Sequence, residues 1–221
     1  MQTRSFAIPV VAFSLLAIAG AWMGGDWLWL HYLGKPLATV CILLFAASVK
    51  TAVSPRYRRA VLAGLGLSLV GDVLLMLPMD AFLPGLVAFL IAHVFYIAAF
   101  ARGSSPRARV VSFLPWLVIA GANLAELLPR IDGALRGPVL AYVAVLVTMA
   151  ALAMARLRTP ALAQAHPHSV RYAAAGGACF VVSDSLLAWD RFAGGVPLSA
   201  LLVLSTYWIA QWCIAQSVRA R

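Results

Sequence analysis

The chain has 221 residues, of which 63% are hydrophobic and only 11% charged, with a formal net charge of +10. A soluble domain carries about 45–50% apolar and about 25% charged residues, so the composition excludes an ordinary water-soluble domain and points to a polytopic membrane protein. The basic excess is read as loop charge that sets orientation and meets anionic lipid headgroups. No basic stretch is interleaved with stacking aromatics, which excludes nucleic acid as a partner.

A membrane-spanning helix needs about 20 apolar residues. In chain order the candidates are 6–23, 35–50, 60–79, 82–100, 110–128, 137–157, 172–190 and 197–217. The first resembles a signal peptide, with Arg4, an apolar core and Ala17-x-Ala19, but it is read as a retained span because the loop charges make sense only if it stays. Before the second span, "MGGDWLWLHYL" reads as an exterior loop at the headgroups, its Trp27, Trp29 and Tyr32 forming an interfacial belt. Pro36 and Pro138 suit first-turn helix positions, where a missing N–H costs nothing. Pro78 with Pro84, and Gly194-Gly195 with Pro197, mark tight connections. The expected fold is all-α: a transmembrane helical bundle of about eight spans, with residues 1–221 forming a single integral membrane domain.

Thirteen of the seventeen basic residues fall at Arg4 and within 50–59, 102–109, 156–171 and 219–221; Lys35, Arg130, Arg136 and Arg191 lie on the other side. This bias places both termini in the cytoplasm, which an even number of spans allows, and suggests a bacterial inner membrane. Of the acids, Asp26, Asp80, Asp132 and Asp190 fall in exterior connections, whereas Asp72, Glu126 and Asp184 lie within spans.

Asp72 in "SLVGDVLLML" and Asp184 in "CFVVSDSLLAW" are the anomalies. A charge near a bilayer centre costs at least ~2.5–3.5 kcal/mol, so two intramembrane acids in one short chain call for a function. Each comes twelve residues into its predicted span, ~18 Å from the inner edge at ~1.5 Å per residue, so the two can share one depth. "GLGLSLVGDVLL" at 64–75 aligns without gaps on "GGACFVVSDSLL" at 176–187, which would make two parallel four-helix halves. Other polar residues share faces within spans: His93 with Tyr96, Tyr207 with Gln211, and Asn123 with Glu126. Taken singly these are bundle glue, about 0.6 kcal/mol each. Cys41, Cys179 and Cys213 read as small buried hydrophobes, and His166 with His168 is too sparse for a metal site, so neither metal nor cofactor is expected.

At this point the motifs resemble a known family. "KPL" at 35–37, "GDVLLML" at 71–77, "FLPGLVAFLIAHVFY" at 82–96, "SDSLLA" at 183–188 and "YWIAQ" at 207–211 occur in the order seen in the YhhN-like eight-helix proteins, which include the lysoplasmalogenases. The resemblance covers residues 35–215 and implies hydrolysis of the vinyl ether bond of lysoplasmalogens, giving a fatty aldehyde and a glycerophospho-base. It places Lys35, Asp72, His93, Tyr96, Asp184, Tyr207 and Gln211 on the family's motif positions.

The chemistry suits those residues. A vinyl ether hydrolyses by slow protonation of its β-carbon, and water then adds to the oxocarbenium ion. Two carboxyl groups in different protonation states can supply the proton and stabilise the cation, as in glycosidases. Asp72 and Asp184 are therefore the expected catalytic pair, with either as the acid. Lys35 is a candidate contact for the headgroup of a lysophospholipid, and His93, Tyr96, Tyr207 and Gln211 are candidate orienting groups. The alternative class is a proton-coupled transporter of a small molecule or lipid using the same aspartates. An intramembrane aspartyl protease fits poorly, because "LVGD" lacks the GxGD spacing and Ser183 stands where a tyrosine would be needed.

Overall fold

The computed structural model describes residues 2–220, apart from the side chain of Gln2. Among them are nine α-helices: α1 Gln2–Met23, α2 Leu28–Ser48, α3 Pro55–Met76, α4 Phe82–Phe100, α5 Pro106–Leu127, α6 Gly133–Leu157, the short α7 Pro160–Ala165, α8 Pro167–Ala193 and α9 Ser199–Gln216. Seven of the described helices are long and apolar enough to cross a membrane. The protein is an integral membrane protein with an all-α bundle. The eighth expected span, α9, falls short by composition because it carries Tyr207, Gln211 and Gln216, all of them buried.

The helix starts follow local chemistry. Ser54 caps α3 by accepting from Tyr57 N at 3.1 Å, and Ser105 caps α5 by accepting from Ala108 N at 3.2 Å; each is followed by proline. Asp132 caps α6 in the same way, from Ala134 N at 2.9 Å. Gly194, at φ 89°, ends α8 in the left-handed region that glycine adopts without strain.

Two expectations need correction. The stretch 28–33 is not an exterior loop but the opening of α2, and Pro36 lies inside that helix rather than in its first turn. Pro138 likewise lies within α6. A bundle tolerates these prolines because neighbouring helices re-satisfy the freed carbonyls. At α2 the helix is also clamped by contact: a Cβ at Gly34 would stand 2.7 Å from both Ala17 N and Phe13 O of α1.

Six helices close a ring in the order α2, α3, α4, α6, α8, α9 and back to α2, while α1 packs outside on α2 and α9, and α5 outside on α6. The exposed faces of α1 and α5 are apolar, with Ile8 and Val118 each 72% exposed, as a lipid-facing surface requires. In this ring α3 and α8 stand opposite each other. Asp72 is the eighteenth residue of α3 and Asp184 the eighteenth of α8, and each helix opens on a proline. Both helices begin five residues before their predicted spans, so each aspartate lies ~25 Å along its helix rather than ~18 Å, and the shared register survives.

The end that carries both termini is closed. Arg219 donates to Thr3 Oγ1 at 3.0 Å, and Ala52 pairs with Arg219 in an isolated β-bridge. Tyr57 OH shares a 2.8 Å hydrogen bond with Ser217 Oγ beneath the Arg156 guanidinium, which sits 5.0 Å from the Tyr57 ring centroid.

Candidate functional site

The opposite end holds a cavity of about 680 Å³, lined by Lys35, Asp72, Tyr142, Asp184 and Tyr207 among mostly apolar side chains. That volume is in the range of small-molecule sites, about 300–1,000 Å³. Both intramembrane aspartates face it, one from α3 and one from α8.

Small residues on α3 let this geometry form. Gly64, Ser68 and Gly71 share the face of α3 that meets α4. An added Cβ at Gly71 would lie 2.6 Å from the Phe89 ring, and one at Gly64 would run into the Tyr96 ring. The rings of α4 thus fill the notches of α3, which brings the backbones close and turns Asp72 inward beside Gly71.

Asp72, 1% exposed, is held by three groups from two other helices. Thr39 Oγ1 donates to its Oδ2 at 2.6 Å, Tyr207 OH donates to the same oxygen at 2.8 Å, and Lys35 Nζ lies 3.8 Å from Oδ1. Hydrogen bonds to a charged group are worth about 1.5–3 kcal/mol each, and the ammonium offsets the charge itself. Behind Tyr207 the network continues inward. Gln211 Nε2 donates to Tyr207 OH at 3.0 Å, Tyr96 OH donates to Gln211 Oε1 at 2.8 Å, and Ser68 Oγ lies 3.4 Å from Tyr96 OH. Trp208 Nε1 donates to Thr39 Oγ1 at 3.3 Å. Amide and hydroxyls are arranged so that Tyr207's own proton is directed at Asp72.

Asp184 has a sparser setting. Tyr142 OH of α6 donates to its Oδ2 at 2.6 Å, and no cation pairs with it among the described residues. The two carboxyl groups therefore share a cavity but not an environment.

The expected second-layer residues divide. Lys35 and Tyr207 line the cavity and touch Asp72, whereas His93, Tyr96 and Gln211 lie beneath it, fully buried. His93 does not touch either carboxylate; its ring packs edge-on against Phe180 at 4.6 Å and Tyr142 at 5.4 Å. Glu126 points outward and pairs with Arg130 at 3.6 Å, while Asn123 accepts from Trp189 Nε1 at 2.7 Å. Sequence reasoning missed Thr39 and Tyr142. Thr39 stands four residues after Lys35, a helical spacing that could have marked it, whereas Tyr142 offers only its polarity in a mostly apolar span. No group of three or more candidate metal ligands occurs among the described residues.

Fold and site thus define a polytopic membrane protein with an acidic cavity opening at the end away from the termini. Residues 30–218 match the YhhN family, and the chain belongs to it. It is similar to human "Lysoplasmalogenase TMEM86A", at 35% identity over 193 residues covering 86% of this chain and 78% of the relative. Human "Lysoplasmalogenase TMEM86B" is 32% identical over 198 residues, covering 89% of this chain and 79% of the relative. "Lysoplasmalogenase" of Mycobacterium tuberculosis (strain CDC 1551 / Oshkosh) is 34% identical over 182 residues, 79% of this chain and 65% of that one. No solved structure matches.

Proposed function

We propose that this chain is a membrane-embedded hydrolase that cleaves the vinyl ether bond of lysoplasmalogens, releasing a fatty aldehyde and a glycerophospho-base. The observation that carries the reading is the shared cavity: two carboxyl groups face it from opposite helices, and their surroundings equip them for different roles. The names of the relatives agree with it.

Asp72, with Lys35 and two hydroxyl donors, is arranged to remain a carboxylate. Asp184, with one hydroxyl partner and no cation, is the group free to carry a proton. In the first step Asp184 gives its proton to the β-carbon of the vinyl ether, and the double-bond electrons form that C–H bond while the ether oxygen shares its lone pair. The resulting oxocarbenium ion is stabilised by the Asp72 carboxylate. Water attacks the cationic carbon, losing a proton to Asp72 or to the now ionised Asp184. The hemiacetal hydroxyl then gives its proton to the ionised aspartate as the aldehyde C=O forms and the C–O bond to the glycerol breaks, and the glycerol oxygen takes the proton held by the other aspartate. No metal or organic cofactor enters the scheme.

The membrane assignment follows the charges. Basic residues gather at the closed end with both termini, so that end faces the cytoplasm and the cavity opens to the exterior of a bacterial inner membrane. The lysolipid substrate then comes from the outer leaflet.

The test is incubation of the purified protein with an alkenyl lysophospholipid and with its saturated alkyl analogue, reading free aldehyde. Aldehyde from the alkenyl lipid alone, lost in folded Asp72→Asn and Asp184→Asn proteins, supports the hydrolase. Absence of aldehyde across headgroups overturns it and leaves proton-coupled transport as the class to assay.

A further inference from the structure

The mouth of the cavity carries charges that the hydrolytic chemistry does not use. Arg191 Nη2 donates to Asp80 Oδ2 at 2.7 Å, tying the last turn of α8 to the connection between α3 and α4, and both residues line the cavity. The Arg191 guanidinium also lies over the Phe82 ring, 5.1 Å from its centroid. Asp190, which lines the cavity as well, accepts from Val196 N at 2.9 Å. The mouth therefore carries one guanidinium paired with a carboxylate, and a second carboxylate held by the backbone of the α8–α9 connection. Lys35, the other basic side chain lining the cavity besides His31, is already held by Asp72 deeper in.

Distance along α8 relates this cluster to the chemistry. Asp184 and Arg191 are seven residues apart, ~10.5 Å along the axis and nearly on the same helix face. In a lysophospholipid the phosphorus stands five bonds beyond the ether oxygen and the head's ammonium a few bonds further. A lipid with its ether bond at Asp184 thus has its phosphate within reach of the long Arg191 side chain and its ammonium at the rim.

We infer that Arg191 and Asp80 form the headgroup site of this cavity, and that it takes a zwitterionic phosphate–ammonium head. Arg191 binds the phosphate and Asp80 binds the ammonium, so the resident ion pair exchanges partners when the lipid enters. An anionic head without an ammonium would take Arg191 and leave Asp80 unpaired. A zwitterion replaces both partners. The inference rests on the hydrolase reading, because that reading places a lysolipid in the cavity.

The test uses a 1-alkyl lysophosphoethanolamine, whose saturated ether cannot be cleaved, a 1-alkyl lysophosphoglycerol and a headless 1-alkylglycerol. Binding of each to wild-type, Arg191→Gln and Asp80→Asn proteins in nanodiscs is measured by thermophoresis. Arg191→Gln should weaken the phosphoethanolamine ligand about tenfold or more, the scale of one charge-assisted hydrogen bond, and leave the alkylglycerol unchanged. Asp80→Asn should weaken the phosphoethanolamine ligand and not the phosphoglycerol one. Equal phosphoethanolamine affinity in wild-type and Arg191→Gln proteins overturns the headgroup site, as does a matching loss for the headless lipid, which marks the pair as a structural tie. Aldehyde release by the wild-type protein from an alkenyl lipid is read separately. Aldehyde with unchanged Arg191→Gln binding removes the headgroup site alone, and head discrimination without aldehyde removes the hydrolase alone.

Discussion

The ammonium of Lys35 lies 3.8 Å from the Asp72 carboxylate, and the two side chains are 9% and 1% exposed. Breaking a buried ion pair from one side leaves an uncompensated charge at a cost of about 3–5 kcal/mol. Lys35→Met should therefore lower the melting temperature in detergent more than a typical core change does. The double variant Lys35→Met/Asp72→Asn should recover most of the loss, since the remaining amide can still accept from Thr39. Equal melting of single and double variants would mean that the pair is not coupled.

Tyr142 and Tyr207 each donate to one of the aspartates, and their loss should not be equivalent. Tyr142→Phe removes the hydroxyl partner of Asp184 and should reduce kcat by about tenfold to 100-fold, no more than the low end of the ~10²–10⁴ that a whole general acid contributes. Tyr207→Phe leaves Thr39 and Lys35 in place around Asp72 and should reduce kcat by less than about tenfold. Aldehyde release at saturating lipid is the readout. The reverse ranking would exchange the roles assigned to the two aspartates.

Protonation of carbon leaves an isotopic record. In deuterated water the aldehyde should carry one deuterium on the carbon next to the carbonyl when sampled early, and the rate should fall because transfer to carbon is the slow step. Aldehyde formed at full rate would place the slow step elsewhere, and aldehyde without that deuterium would exclude β-carbon protonation.

Gly71 and Gly121 separate packing from helix propensity. A Cβ at position 71 would stand 2.6 Å from the Phe89 ring, whereas nothing lies within 4 Å of one at position 121. Gly71→Ala should destabilise by about 1–3 kcal/mol, the cost of overpacking, and shift the neighbouring Asp72. Gly121→Ala should be neutral or stabilise by up to about 1 kcal/mol through helix propensity. Thermal unfolding of the two proteins checks the contrast.

The amino-acid sequence by itself determined the membrane class, an all-α bundle of about eight helices, of which seven are apolar enough to span, and the common register of Asp72 and Asp184. These follow from composition and from the constant rise of a helix, both of which are linear along the chain. Only the tertiary structure decided which groups meet the carboxylates. Thr39 and Tyr142 lie 33 and 42 residues from the aspartates they bind. His93, three residues from Tyr96 and on a motif position, was left below the cavity among rings. The physical reason is the solvent. A helix in lipid is apolar on every side, so no polar face marks which way it turns in the bundle. That rotation is chosen by the notches of Gly64 and Gly71 and the rings of Tyr96 and Phe89 that fill them, and it sets which helices hold each aspartate.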